Sequence, residues 1–546
     1  WRPASAVPAP SVRILFDFGD GSYVWAIEPI GDPLATNATW HVVQRAASSN
    51  GIALDAAWSS CCGVAIFDVG GRHPPAGFVG LLEWNGTWHR WEFTSKGISA
   101  LVVRDGDSIA LYNAAFASAP PYASRTPVPT PDEPWPSVEF RGDWSNSGVA
   151  GSAAPDRVRV LWDRDAGKRE IASTPAVASG KVFVTTMGWT LALDAGNGHV
   201  LWNTSRAKGF SSPAVFNNSV YVGTSSGTVV RLNETDGTLS WETRLLARTS
   251  FSGITSSPKV AYDRVFVGTF NETGGPGEVV ALWEGNGSVA WRHATGSIHY
   301  SSPAYAEGAI YVGVMGLYNT TSQISFHAPY GILSLDAVTG TERWFFPTGG
   351  SVAASPAVLG PNLIATAKDG MVYALNRSTG ALVWQASVDA GISSPAVLGG
   401  TVFVGGGAFG GPGRVVALNS LDGSVKWSFT PNGPVQSSLT YAGGRVVFAT
   451  NEDHGTIYAL DAATGALAWS FEPSPSDYIL GSPVVADGVV YAPSDNGHVY
   501  ALGQPLPDQN PLGSLGVVLI GGAIVGAGVV VGAVWILVRR RSRSGP

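Results

Sequence analysis

The 546-residue sequence has few charged residues and almost no cysteine. Lys, Arg, Asp and Glu make up 13 % of it, about half of the share in typical soluble domains. The formal net charge is −7, and a mildly acidic chain lacks the basic surface that binds nucleic acid, so we predict no nucleic-acid partner. The two cysteines, Cys61 and Cys62, are adjacent, so no disulfide framework can span the chain.

Signatures of common catalytic and metal sites are also missing. The sequence contains no Ser-His-Asp, Walker or zinc-binding pattern. Three of the nine histidines, His41, His73 and His89, fall in the first predicted domain, but their spacing does not match a copper site. We therefore predict no catalytic residue and no metal site.

The adjacent cysteines allow several chemical states. Neighbouring Cα atoms lie about 3.8 Å apart across a trans peptide, below the usual disulfide range. We favour a strained vicinal disulfide between Cys61 and Cys62 if this part of the chain is outside the cell. Free thiols, a metal ligand pair and an interchain bond remain alternatives.

Glycine and tryptophan are abundant, with 69 and 20 residues, and they recur in a repeat. The sequence GTIYALDAATGALAW, residues 455–469, reads as two short strands around a tight turn, with Trp469 at its end. Equivalent tryptophans follow one another mostly at 39 to 43 residues, with two spacings of 50 and 53. A period near 40 with several strands per repeat is typical of a β-propeller. We expect these residues to dock each blade on the next: Trp162, Trp202, Trp241, Trp291, Trp344, Trp384, Trp427 and Trp469.

A second marker, close to Ser-Ser-Pro-Ala-Val, begins each repeat. It occurs eight times, which predicts eight blades within residues 138–503. The last repeat provides only three strands, and we expect Val158–Trp162 to pair with His498–Leu502 as the fourth. Such pairing closes the ring and removes two exposed sheet edges.

The consensus SSPAVxxGxVYVG…GxVYALDxxTGxxxW and the opening FRGDWSNSGVAG resemble the pyrroloquinoline-quinone (PQQ) repeat of quinoprotein-like propellers. This family includes alcohol dehydrogenases and a non-enzymatic assembly lipoprotein of the bacterial outer membrane.

A dehydrogenase needs Ca²⁺ held by carboxylate and amide oxygens, and an Asp near the quinone. The loops that lead into the inner strands hold a set of mixed sign: Lys208, Arg248, His299, Asp389 and Asp477. We therefore predict no cofactor, and keep PQQ with calcium for the alternative of a quinone-dependent dehydrogenase.

Residues 11–117 read as a small α+β domain. A hairpin is followed by a helix from Ala38 to Ser48 and by strands at Val64–Val69, Phe78–Trp84, Trp88–Phe93 and Ile109–Asn113, an order typical of a β-grasp domain. The motifs FDFGDG, GVAIFDVGG, WNGTWHRW and LVVRDGDSIALYN resemble the transcobalamin C-terminal-like module. That module encloses cobalamin together with a helical domain that this chain lacks. Capture of a corrinoid-like small molecule is therefore kept as an alternative only.

The remaining segments predict an anchored ectodomain. Residues 118–137 form a Pro-rich linker. We interpret the tripeptide Arg141-Gly142-Asp143, which follows it, as part of the entry to the propeller and not as an adhesion motif. After a linker at 504–514, residues 515–538 are long and apolar enough for a transmembrane helix. The basic tail 539–546 belongs in the cytoplasm. The localisation is then the cell membrane, with an extracellular ectodomain.

Nine Asn-x-Ser/Thr sequons predict an extracellular, glycosylated protein. Together with the few cysteines and the C-terminal anchor, they favour an archaeal protein. They begin at Asn37, Asn85, Asn203, Asn217, Asn233, Asn271, Asn286, Asn319 and Asn376.

The predicted function is non-enzymatic binding or scaffolding, with protein or glycan partners at the cell surface. Three repeats carry insertions, at Phe270–Gly277, Val314–Tyr330 and Gly406–Gly413, which should rise from one face. Loops of this length usually exist for function. We expect their aromatic residues to be exposed and to form the binding face: Phe270, Tyr318, Phe326, Tyr330 and Phe409.

Overall fold

A computed structural model describes two folded regions, one on each side of the Pro-rich linker. The described residues are 11–18, 23–29, 38–50, 52–59, 63–71, 79–85, 90–94, 97–104, 107–112, 140–167, 171, 173–216, 218–246, 253–261, 264–306, 308–322 and 325–504. The predicted transmembrane helix, the two cysteines, the Pro-rich linker and residues 505–514 therefore lie outside the described residues.

The first region is a mixed sheet covered by a helix. Its elements are β1 Ser11–Asp17, β2 Tyr23–Pro29, α1 Ala38–Ser49, β3 Leu54–Ser59, β4 Gly63–Val69, β5 Gly80–Asn85, β6 Arg90–Phe93 and β7 Ser108–Tyr112. Five strands lie in the order β2-β1-β7-β5-β6, with β1 and β7 parallel in the centre, and β3 and β4 form a separate hairpin. The predicted first hairpin and helix are confirmed.

One apolar face of α1 forms the core of this region. Val42, Val43 and Ala46 are buried against Phe16 and Leu111 of the central strand pair. The prediction missed β3, because its sequence LDAAWS contains two alanines and an aspartate, residues that rarely mark strands.

The second region consists, within the described residues, of eight four-stranded antiparallel units. We number the units in chain order and call their strands A to D from the central channel outward. Unit 1 has β9 Ala176–Ala178, β10 Lys181–Thr185, β11 Thr190–Asp194 and β12 Val200–Thr204. Unit 2 has β13 Ala214–Phe216, β14 Ser219–Gly223, β15 Thr228–Asn233 and β16 Leu239–Arg244. Unit 3 has β17 Lys259–Ala261, β18 Arg264–Gly268, β19 Gly277–Trp283 and β20 Val289–Thr295.

The middle units include one extra hairpin. Unit 4 has β21 Ala304–Ala306, β22 Ala309–Val314, β25 Gly331–Asp336 and β26 Glu342–Pro347, with β23 Leu317–Tyr318 and β24 Phe326–His327 inserted between B and C. Unit 5 has β27 Ala357–Leu359, β28 Asn362–Thr366, β29 Gly370–Asn376 and β30 Leu382–Ala390. Unit 6 has β31 Ala396–Leu398, β32 Thr401–Gly406, β33 Arg414–Asn419 and β34 Val425–Phe429. Units 5 and 6 are joined at Ala390 and Gly406.

The last two units complete the series. Unit 7 has β35 Thr440–Ala442, β36 Arg445–Ala449, β37 Ile457–Asp461 and β38 Leu467–Phe471. Unit 8 has β39 Val484–Ala486, β40 Val489–Pro493 and β41 His498–Gly503, and its fourth strand is β8 Arg159–Asp165 from before unit 1. Ala501 lies opposite Trp162 in this antiparallel pair. The predicted pairing of the two ends of the repeat region is confirmed.

The serine marker joins neighbouring units around the channel. In every unit, the hydroxyl just before strand A accepts a hydrogen bond from the backbone N–H of the equivalent residue in the preceding unit. The series returns to its start, since the Ser482 N–H donates to Thr174 at 3.2 Å. The eight members, at 2.7–3.3 Å, are Thr174, Ser212, Ser257, Ser302, Ser355, Ser394, Ser438 and Ser482. We call this set the hydroxyl ring.

Residues 140–152 form a plug against the A strands. The carbonyls of Trp144, Ser145, Ser147 and Gly148 accept the N–H groups of successive A strands, in units 4 to 7, at 2.7–2.8 Å. The Trp144 indole donates to the Val260 carbonyl in unit 3 at 2.9 Å. The plug therefore satisfies backbone donors that would otherwise line the channel without partners.

The Arg-Gly-Asp tripeptide belongs to this plug. Arg141 is buried and donates to the carbonyls of Leu439 and Pro395. The Asp143 carboxylate accepts hydrogen bonds from Ser145 and Ser147. Neither charged side chain is presented as an exposed adhesion motif, in agreement with the interpretation of this tripeptide as part of the propeller entry.

Candidate functional site

The loops of the units emerge on two opposite faces. We call the face with the B–C and D–A loops the upper face, and the face with the A–B and C–D turns the lower face. The B–C loop of a unit is hydrogen-bonded to the D–A loop that leads from that unit to the next. The Ile298 N–H donates to Thr269 O at 2.9 Å, and the Val435 N–H donates to Gly406 O at 3.0 Å. The expectation that the three insertions share a face with the D–A loops is confirmed.

The insertions of units 3 and 4 contact each other through aromatic rings. The ring centroid of Phe270 lies 5.3 Å from Tyr318 and 6.1 Å from Phe326, and the latter two are 5.6 Å apart. Tyr330 donates its hydroxyl to the Phe326 carbonyl at 2.6 Å. We call residues 270–277 and 314–330 the crest, a raised surface held by this aromatic cluster.

The expectation that all five aromatic residues are exposed is wrong for Phe270. This side chain is 4 % exposed, because the β23–β24 hairpin of the next unit covers it. Tyr318, Phe326 and Tyr330 are half-buried. Phe409 is 65 % exposed and does not join the cluster; it stacks on Tyr478 at 5.7 Å.

His299 lies beneath the crest, next to the channel. Its ring is 4.8 Å from Phe270, and its Nδ1 is 3.0 Å from the Thr255 hydroxyl. Burial, with a smaller contribution from the charge of Lys368, lowers the pKa of His299 to about 3. The ring is therefore neutral over the physiological range. The sequence identified His299 only as a loop residue, because its burial depends on an insertion in another unit.

The channel beneath the upper face holds a space of about 70 Å³, well below the ~300–1,000 Å³ of ordinary small-molecule sites. None of the described residues that line this space is charged. The upper lining has one residue from each of seven units: Phe210, Thr255, Tyr300, Ala353, Ile392, Gln436 and Leu480. No three His, Cys, Asp or Glu residues cluster among the described residues. This lining does not fit PQQ with a calcium ion, which requires carboxylate oxygens and room for a tricyclic ring.

The lower face has a larger cavity that sequence reasoning missed. It measures about 470 Å³ and lies between the plug and the A strands of units 8, 1 and 2. Arg141 and Phe140 of the plug contribute to its wall. No sequence pattern indicates this cavity, because it depends on where the plug ends.

The repeated tryptophans lie between adjacent units. Each indole donates its Nε1–H to a backbone carbonyl of the next unit around the channel at 2.8–3.0 Å. The ring of Trp162 also occupies the space where a Cβ on Gly198 would stand, 2.6 Å away. The eight acceptors, from Trp162 to Trp469, are the carbonyls of Ala195, Glu234, Glu284, Ala337, Arg377, Ser420, Ala462 and Pro155.

Five of the predicted glycosylation sites accept backbone N–H groups in turns through Oδ1: Asn233, Asn271, Asn286, Asn319 and Asn376. Asn376 Oδ1 accepts the N–H groups of Ser378 and Thr379, both at 3.0 Å, and Asn233 caps the equivalent turn in unit 2. Other units have Asp at this position, so the turn itself favours Asn or Asp there. Asn203, Asn233 and Asn286 are exposed, whereas Asn271, Asn319 and Asn376 are half-buried. The side chains of Asn37, Asn85 and Asn217 lie outside the described residues.

Two further predictions fall on parts that the structure does not describe. Cys61 and Cys62 are outside the described residues, and so is the span 515–538. Among the described residues, α1 has only 12 residues, and no helix reaches the length and apolarity of a bilayer span.

The geometry places the repeat region in the class of quinoprotein-like β-propellers. The family model described as outer membrane protein assembly factor BamB, the PQQ_2 family, matches residues 146–304, 241–391, 276–428 and 368–504, together more than half of the chain. The chain belongs to this PQQ-repeat family, as the sequence motifs predicted.

Individual relatives include both enzymes and assembly factors. The outer membrane protein assembly factor BamB of Yersinia pestis is 29 % identical over 31 % of this chain and 49 % of its own length. The quinohemoprotein alcohol dehydrogenase ADH IIB of Pseudomonas putida is 28 % identical over 26 % of this chain and 23 % of its own. The chain thus spans at most about half of these relatives.

Solved structures agree on the fold. The quinohemoprotein alcohol dehydrogenase ADHIIG from Pseudomonas putida HK5 has a TM-score of 0.58 at 15 % identity, covering 69 % of this chain and 82 % of that one. BamB from Moraxella catarrhalis has a TM-score of 0.50 at 17 % identity, covering 64 % and 98 %. At these identities the likeness concerns the fold alone, and it does not distinguish an enzyme from an assembly factor.

Proposed function

We propose that the propeller is a non-enzymatic binding or scaffold module that presents its crest to protein or glycan partners at the cell surface. The observation that carries this proposal is the packing of two insertions into one raised surface, around Phe270, Tyr318 and Phe326. Loops that share an aromatic cluster are held in one conformation, which lowers the entropic cost of binding. The narrow space in the channel next to the crest, which has no charged residue in its described lining, supports binding over quinone chemistry.

The proposal extends to the whole chain. Residues 138–503 form a closed, eight-bladed ring, and residues 11–117 form a β-grasp module of the transcobalamin C-terminal-like kind. The central parallel pair β1 and β7, flanked by hairpins and one helix, supports this assignment. In this proposal, residues 515–538 anchor the chain in the membrane, and the exposed sequons carry glycans.

The experiment replaces residues 317–327 with a Gly-Asn-Gly turn and changes Phe270 to Ser, since the deletion would otherwise expose that ring. We expect the variant to keep its melting temperature within a few degrees and to bind cell envelopes of the source organism at least tenfold more weakly. The measurement is a titration of labelled protein on purified envelopes.

A matched control shortens the insertion of unit 6 by replacing residues 408–412 with two glycines. This change removes the exposed Phe409 from the same face without touching the crest. Undiminished envelope binding by a folded crest variant would show that the crest is not the site. If the control alone loses binding, the site lies around Phe409 and Tyr478.

A further inference from the structure

The lower face contains a cavity of about 470 Å³ that the plug leaves open. Carbonyls and the Trp144 indole of the plug contact units 3 to 7, and the cavity lies mainly against the other three units. Its wall includes apolar side chains of the plug and of these units, among them Phe140, Val177, Val215 and Val484. The volume falls within the ~300–1,000 Å³ typical of small-molecule sites.

One carboxylate oxygen in this wall lacks a hydrogen-bond donor. Glu234 follows strand C of unit 2, lines the cavity and is 4 % exposed. Its Oε1 accepts a hydrogen bond from the Lys181 ammonium at 3.0 Å. Its Oε2 accepts none from the described residues and is not fully enclosed by protein atoms. A poorly hydrated acceptor without a donor is costly, so a ligand that donates to Oε2 would remove this cost.

The described wall offers nothing that would bind an anion. Arg141 is its one cationic residue. Both Nη groups of Arg141 donate to backbone carbonyls, and its Nε is buried away from the cavity. The wall also contains Asp487 of unit 8, which is exposed. An anionic ligand would therefore meet two carboxylates and no free cation.

The ion pair of Glu234 with Lys181 disfavours a cationic ligand as well. The ammonium of Lys181 already compensates the carboxylate charge, so a second cation at Oε2 would be repelled by a like charge nearby. A neutral hydroxyl avoids both costs. Its O–H bonds to a charged oxygen, and charge-assisted hydrogen bonds are about twice as strong as those between neutral groups.

We propose that this cavity binds a neutral apolar molecule that carries one hydroxyl group. The hydroxyl donates to Glu234 Oε2, and the apolar body lies against Phe140 and the valines of units 8, 1 and 2. The site is on the face opposite the crest and does not depend on the function proposed for the crest.

The test measures binding of three naphthalene probes of similar size to the full chain by equilibrium dialysis. At physiological pH, 2-naphthol is neutral and has a hydroxyl donor, 2-methoxynaphthalene lacks the donor, and 2-naphthoate is an anion. We expect one saturable site for 2-naphthol, about fivefold weaker binding of 2-methoxynaphthalene, and the weakest binding for 2-naphthoate. Equal affinities for the first two probes, or tightest binding of 2-naphthoate, would overturn the proposal.

Glu234→Gln tests the acceptor. The change keeps the shape of the side chain but removes its charge, so it should weaken binding of 2-naphthol about fivefold and change that of 2-methoxynaphthalene less than twofold. Glu284→Gln is the matched control, since Glu284 lies at the equivalent turn of unit 3, pairs with Arg231 at 3.2 Å and does not line the cavity. This variant should bind 2-naphthol as the wild type does, and equal losses in both variants would contradict the proposed contact.

A further pair of variants fills the cavity. Ala178 lines it, so Ala178→Trp places an indole there and should abolish binding of 2-naphthol and of 2-methoxynaphthalene. Ala306→Trp, at the same strand position in unit 4, is outside the cavity and should bind both probes as the wild type does. Binding that survives Ala178→Trp in a folded protein would show that the probes bind elsewhere.

Discussion

At the scale of single residues, neighbouring units are joined by a few repeated contacts. A Trp N–H bonds to a turn carbonyl of the next unit, and a Ser or Thr hydroxyl accepts an N–H from the preceding one. Each contact involves a buried donor and a buried acceptor, so losing one partner leaves the other unsatisfied at a cost of about 1–3 kcal/mol. This explains why these residue types recur while the surface positions between them vary.

His299 provides a pH-dependent test at this scale. Its pKa is about 3 in the folded protein but about 6.5 in an unfolded chain. As the pH falls below about 6.5, the unfolded state takes up a proton that the folded state cannot, so stability decreases. Between pH ~7 and ~5 we expect this residue to lower the free energy of unfolding by about 2 kcal/mol.

The comparison uses His299→Gln, which cannot titrate, and His199→Gln, a change at an exposed position. Urea unfolding at several pH values should give a flatter profile for the first variant and an unchanged one for the second. If the free energy of unfolding of His299→Gln depends on pH as steeply as that of the wild type, other groups cause the pH dependence.

At the scale of elements, the plug is the feature that organises the lower face. The Asn146 Nδ2 group donates to the carbonyls of Ser302, Pro303 and Pro356 at 3.1–3.2 Å, and so bridges units 4 and 5. Asn146→Ala leaves these buried acceptors without that donor. We expect a loss of about 2–3 kcal/mol in the free energy of unfolding, measured by urea titration.

Asn197→Ala is the control for this prediction. Asn197 is exposed and accepts only the His199 N–H within its own turn. Its replacement should cost less than about 0.5 kcal/mol, as is usual for surface positions. A similar loss for both variants would mean that the plug adds little to the stability of the propeller.

The sequence predicted the strands and their order better than the plug and the crest. Trp384 and the serine markers recur because each meets the same local partner in the next unit, so their pattern is visible in the chain. Contacts of the plug span up to 336 residues, as from Ser152 to Gly488, and occur once each. The burial of Phe270 cannot be predicted from its own repeat for the same reason, because the hairpin that covers it lies in another repeat.

At the scale of the whole molecule, the repeat region has no terminal unit. Linear repeat proteins fray from their ends because the first and last repeats have one neighbour each. Here β8, from before unit 1, completes unit 8 beside β41, and the Ser482 N–H donates to the Thr174 hydroxyl across the same junction. The junction between units 8 and 1 should therefore be as stable as any other.

Equivalent substitutions at two places in the hydroxyl ring test whether the junction between units 8 and 1 is as stable as the other junctions. Ser257→Ala removes the acceptor of the Ser212 N–H in the middle of the series, and Thr174→Ala removes the acceptor at the junction. Each change leaves a buried N–H unsatisfied, so we expect losses of about 1–3 kcal/mol that agree within about 0.5 kcal/mol. Thr174→Ser keeps the hydroxyl and corrects for the lost methyl group. In urea titrations, a much smaller loss for Thr174→Ala than for Ser257→Ala would show that the ring opens between units 8 and 1 before it unfolds.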